Sequence, residues 1–109
     1  MPTTGDLKEM VVRYIDYIRS VRGYSPLTVR HYELVLNEAA RYWEIEEREE
    51  GVLLSLMPWR IAIANQARAT IARKVSTVRS FVAWLNEEGM VVMLKGGELA
   101  KQRRNLPRP

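Results

Sequence analysis

The chain has 109 residues, 47% of them hydrophobic, enough for one compact domain with a modest single core. It has no cysteine and a single histidine, His31, so neither a disulfide framework nor the usual ligand cluster of a structural metal can be assembled, and no metal or cofactor is expected. The net charge of +4 is mild, and no apolar run approaches the roughly 20 residues needed to span a bilayer, so the chain reads as soluble and cytoplasmic.

Residues 1 to 5 read as a short lead. Asp6 is read as a helix N-cap, with Glu9 three positions on completing a capping box. The first helix is expected from about Leu7 to Val21. It would bury Leu7, Met10, Tyr14, Tyr17, Ile18 and Val21 and leave Arg13, Asp16, Arg19 and Ser20 outside. Gly23 supplies the stop, as a residue able to take positive φ.

Ser25-Pro26 starts the second helix, serine as the cap and proline at the first helical position. Val29, Tyr32, Val35, Leu36, Ala39, Ala40 and Trp43 form its buried side, with Arg30, Leu34, Asn37 and Arg41 opposite. Its start combines four unpaired backbone N–H groups, the positive end of the helix dipole, the Ser25 and Thr28 hydroxyls, and Arg22, Arg30 and His31 nearby. That is the composition of a phosphate-binding site. An ordinary capping turn would carry the same Ser-Pro pair, which alone does not choose between the two.

The acidic segment EIEEREEG is expected to extend the second helix by a turn or two, until Gly51. VLLSLMP is apolar but short, and a strand there would have no second strand to pair with. Pro58 is placed at the first position of a third, shorter helix over about Trp59 to Asn65, where Trp59, Ala62 and Ile63 seal the bundle. The fourth helix begins near Ala67 or Ala69, capped by Asn65, and ends at Gly89. Ile71, Val75, Val78, Val82 and Leu85, with Phe81 at the edge, form its core stripe. The other side carries Arg73, Ser76, Thr77 and Ser80, flanked by Lys74 and Arg79, a basic and hydroxylic surface of the kind that lies against phosphate oxygens. MVVML is placed over the open end of the core. The expected fold is all-α: a compact four-helix orthogonal bundle over residues 1–94, with a short fifth element after Gly89, followed by a basic linker at 95–109.

The distribution of charge is more informative than its sum. Glu38, Glu44, Glu46, Glu47, Glu49 and Glu50 face only Arg41 and Arg48 between Asn37 and Gly51. No acid occurs from Val52 to Asn86, where Arg60, Arg68, Arg73, Lys74 and Arg79 lie, and the tail adds Lys95, Lys101, Arg103, Arg104 and Arg108. Such asymmetry is the electrostatic footprint of a nucleic-acid binder with its acidic loop turned away from the ligand.

Two blocks carry a resemblance. Gly23, Ser25, Thr28, Tyr32 and Leu36 match a Gly, Ser-x-x-Thr, Tyr, Leu pattern, and Thr70, Ile71, Arg73, Ser76, Arg79 and Phe81 match Thr-Ile-x-Arg-x-x-Ser-x-x-Arg-x-Phe. In this order, and before a K-x-R-R-x-Leu-Pro linker, they resemble the N-terminal core-binding domain of tyrosine recombinases, the phage-integrase and Xer-type family, over nearly the whole chain. Two departures are local. Ala67-Arg68 stands where the family often has a Ser-Pro cap, and Val91 to Leu94 stands in place of an Asn-Pro after the fourth helix.

The resemblance implies a SAM-like helical domain forming half of a C-shaped clamp on double-stranded DNA, its second and fourth helices across the major groove. It also implies contact of the first helix with other recombinase protomers in a synaptic complex. Chemistry in that family needs a catalytic domain with an arginine pair and a nucleophilic tyrosine. Here Tyr14, Tyr17, Tyr24, Tyr32 and Tyr42 sit in packing or turn contexts, so no catalytic residue is assigned. The residues expected at DNA are Arg22, Ser25, Thr28, Arg30, His31, Arg68, Arg73, Lys74, Thr77, Arg79, Ser80, Lys101, Arg103 and Arg104. The 109-residue piece is expected to be monomeric. The competing reading is a helical protein-interaction module whose basic face meets an acidic partner, with Leu34 and Val91 to Leu94 as apolar support.

Overall fold

A computed structural model of the chain describes residues 4–49 and 51–95. Seven elements follow in order: α1 (Thr4–Ser20), α2 (Pro26–Ala40), β1 (Glu44–Arg48), β2 (Gly51–Ser55), α3 (Met57–Ala62), α4 (Arg68–Glu87) and β3 (Val92–Leu94). Four helices stand as expected, but the architecture is not purely helical: a three-stranded sheet in the order β1-β2-β3 closes one end.

α1 packs on α2, and both pack on α4. The interior is aromatic where the three meet. Tyr14 lies 5.3 Å from Trp84 and 5.4 Å from Phe81 between ring centroids, and Trp43 stacks on Phe81 with an interplanar angle of 4°. Such contacts add to the burial of large apolar surface. Phe81, expected at the edge of the α4 stripe, is fully buried at its centre, and Trp84 joins it. In α1 the buried face runs through Leu7, Val11, Tyr14, Ile15 and Ile18. Val21 falls beyond the helix end and is 71% exposed, because the chain has already turned toward Gly23 at φ 66°. α1 starts at Thr4, ahead of the Asp6 cap expected from sequence.

The acidic segment does not prolong α2. It forms β1, antiparallel to β2, with Glu44 opposite Ser55 and Arg48 opposite Gly51. β3 then adds parallel to β2, Val52 opposite Val92 and Leu54 opposite Leu94. Val52, Leu54 and Leu56 point inward at period two, as a half-buried strand requires, while the glutamates of the edge strand face solvent. Gly51 sits where β3 enters: its φ is 148°, and a Cβ there would lie 2.5 Å from the Val91 carbonyl oxygen. Val92 and Leu94 are buried in this sheet, whereas Val91 and Leu34 stay exposed, so only part of the apolar surface behind the protein-module reading is used by the fold.

α3 begins at Met57 with Pro58 in its first turn, and Trp59 and Ile63 are buried beneath it, whereas Ala62 faces solvent. α4 is preceded by Ala67 in an extended conformation with no side-chain cap, so Asn65 does not cap it. Gly89 ends it at φ 93°. Asn86 clasps the next strand: its Nδ2 donates to the Val82 and Val92 carbonyls, and its Oδ1 accepts from the Val92 N–H.

Candidate nucleic-acid interface

The start of α2 is built as its sequence specifies. Ser25 is extended at ψ 156° and its Oγ accepts the Thr28 N–H at 3.2 Å, while the Val29 N–H goes to the Ser25 carbonyl and Pro26 has no N–H. Instead of four open donors, the first turn therefore retains one among the described residues, the N–H of Leu27. The second side of the site comes from α4, whose residues Arg73, Ser76 and Thr77 line a groove of about 480 Å³ together with Leu27, Thr28, His31 and Tyr32 of α2. Two sequence blocks some forty positions apart are thus brought to one surface. The His31 Nε2 is shielded from solvent without a hydrogen-bond partner among the described residues.

A second groove, about 640 Å³, continues from Ser76 along α4 and is lined by Arg60, Arg68, Ile71, Ala72, Val75, Ser76 and Arg79. No acidic side chain lines either groove. The guanidinium groups of Arg68 and Arg79 and the hydroxyl of Ser76 are the group types that bind phosphate oxygens.

Further along α4, Ser80 borders a notch with Tyr14, Tyr17, Arg22, Tyr24, Ala83, Trp84 and Glu87. Arg22 is exposed at the rim of this notch. Its guanidinium lies 5.2 Å from the Tyr24 ring centroid, and the neighbouring Tyr17 raises its pKa above the ordinary value. Burial pushes the Tyr14 and Tyr32 phenols up from their ordinary values, the more deeply buried Tyr14 further. A phenol so shifted resists the ionisation that activates a nucleophile.

Arg22, Ser25, Thr28, Arg30, His31, Arg68, Arg73, Arg79 and Ser80 thus lie on α4, on the first two turns of α2, or in the turn before it. Two of the residues expected at DNA have partners inside the domain. Thr77 is only 3% exposed, and its Oγ1 donates to the Arg73 carbonyl, because residue 77 turns toward α2. Lys74 is engaged internally: its Nζ lies 3.1 Å from Glu38 Oε1, which also accepts from Trp59 Nε1 at 3.1 Å. Lys101, Arg103 and Arg104 lie outside the described residues. Arg60 and Ser76 were absent from the expected set. Ser76 was legible on the polar side of the fourth helix, whereas only the fold brings Arg60 beside α4.

Comparison with known families places this arrangement. Residues 11–89 match the phage integrase N-terminal SAM-like domain, and the chain belongs to that family. Within it the chain is of Xer type. It is 32% identical to tyrosine recombinase XerC of Corynebacterium efficiens over 111 residues, an alignment covering 98% of this chain and 35% of that protein. Tyrosine recombinase XerC of Proteus mirabilis is 29% identical over 102 residues, covering 87% of this chain and 33% of that protein. The XerC of Listeria innocua is 31% identical over 84 residues, covering 72% and 28%. The chain spans about a third of the length of these relatives, or less. No solved structure matches it at comparable strength. No helix among the described residues is long and apolar enough to cross a membrane.

Proposed function

We propose that this chain is the DNA-binding domain of a site-specific tyrosine recombinase, clamping duplex DNA with α4 and the start of α2 and performing no chemistry by itself. The observation that carries this reading is the acid-free surface made by the two grooves that share Ser76, with Arg73 from one and Arg60, Arg68 and Arg79 from the other. Backbone contacts come from Arg68, Arg73, Arg79, Ser25 and Thr28. Arg22, Arg30, His31 and Ser80 extend the face, and Lys101, Arg103 and Arg104 add charge from the tail. In the parent protein the partners are DNA and other recombinase protomers, and the isolated chain is monomeric.

A salt titration of binding to a mixed-sequence duplex tests the reading. Each phosphate neutralised contributes about 0.9 to the slope of log affinity against log salt. The Arg68→Ala plus Arg73→Ala variant is expected to lose about 1.8 from that slope, two contacts' worth. Affinity that ignores salt, or that survives both substitutions unchanged, refutes it.

A further inference from the structure

Leu27 is 83% exposed, more than any other large hydrophobic side chain among the described residues, and it lines the α2–α4 groove beside His31, Arg73 and Ser76. Helix propensity does not require an apolar residue there, and its side chain serves no core contact. Its neighbours are polar or cationic, the wrong company for a protein docking patch and the right one for a polyanion. Leu27 also holds the one open N–H in the first turn of α2. A helix docked by its N-terminus sets its first side chains toward the base edges of the major groove. There the only apolar feature a base pair presents is the thymine 5-methyl group.

Resting on the DNA-binding reading above, we propose that Leu27 is a specificity-determining residue, its side chain packing on a thymine methyl in the major groove while Arg73 and the Leu27 N–H hold the adjacent backbone. Affinity then comes from the arginines and hydroxyls of the two grooves, and preference for an A·T pair at one position comes from this leucine. Covering one methyl group changes affinity about fourfold, equivalent to roughly 0.8 kcal/mol.

The test uses the 109-residue chain and two A·T-rich duplexes of one sequence, synthesised with thymine or with uracil throughout. The phosphate charge is the same in both. The wild-type chain is expected to bind the thymine duplex about fourfold more tightly. Leu27→Ala, with helicity and Tm unchanged because the side chain is outside the core, is expected to bind both duplexes equally, at the wild-type level for uracil. Wild-type binding that is salt-dependent but equal for the two duplexes overturns the role of Leu27 and leaves the DNA-binding reading intact. So does a Leu27→Ala variant that keeps the thymine preference. Failure to bind either duplex overturns both.

Discussion

Replacing Lys74 with methionine separates a structural ammonium from a phosphate contact. In the folded chain its Nζ donates to Glu38 Oε1 at 3.1 Å and Oε2 at 3.4 Å, with the two side chains only 16% and 30% exposed. Methionine keeps most of the aliphatic stem but leaves the Glu38 charge half-buried with Trp59 Nε1 as its remaining side-chain donor among the described residues. A hydrogen bond to a charged group contributes about 1.5–3 kcal/mol, and breaking a fully buried pair on one side costs about 3–5 kcal/mol. Partial exposure puts Lys74→Met near the lower figure, a loss of about 2 kcal/mol and a fall in Tm of roughly 8–16 °C. Urea unfolding followed by tryptophan fluorescence measures the loss. Glu38→Gln, which keeps an acceptor for Trp59, combined with Lys74→Met is expected to cost less than the sum of the two. Because this lysine is engaged with Glu38, the salt slope of DNA binding is expected to stay unchanged. Full stability together with a slope reduced by about 0.9 would refute the reasoning and return Lys74 to the DNA face.

Gly51→Ala is expected to lose about 2–4 kcal/mol by urea unfolding, since the new Cβ would meet the Val91 backbone at 2.5 Å and sit at φ 148°; an unchanged midpoint would show that β3 yields without cost. Thr77→Val removes a buried hydroxyl bonded within its own helix. It is expected to change stability by no more than about 1.5 kcal/mol and DNA affinity not at all, and a large loss of affinity would place Thr77 in the interface after all. Tyr14 has a folded pKa raised by burial, so the unfolded chain ionises first and this contribution is complete below about pH 10 and lost as pH rises beyond it. Tyr14→Phe should flatten the fall in stability above that pH, and an alkaline unfolding curve as steep as that of the wild-type chain would count against it.

The helices were legible because their apolar spacing is regular and their ends carry chemistry: Ser25-Pro26 at one start, Gly23 and Gly89 at two ends. The sheet was not, for a physical reason that lies in β1. Four of the residues of EIEER are charged and poor strand formers, so pairing shows only through Ile45 and through the period-two burial of the strand it joins. The third strand arrives forty residues later, where no local pattern ties it to Val52. In the candidate site, residue types were readable and partners were not. Lys74 and Arg73 look alike in sequence, yet only the fold sets one against Glu38 and the other at the α2–α4 groove. Thr77 lies one step from exposed Ser76, and a 100° turn is enough to bury it.

The sheet also decides how the domain carries load. β3 runs parallel to β2 and is fastened at both ends, the Val52 N–H to the Val91 carbonyl and the Lys95 N–H to the Leu54 carbonyl, with Asn86 gripping Val92 from the side. A pull on the chain beyond Lys95 along the strand axis therefore acts in shear, on several bonds together, rather than peeling α4 away turn by turn. Tension applied at Lys95 reaches β2, and with it the buried Leu54, before it reaches α4. The strands make a strain relief, so that a load applied at Lys95 need not disturb α4.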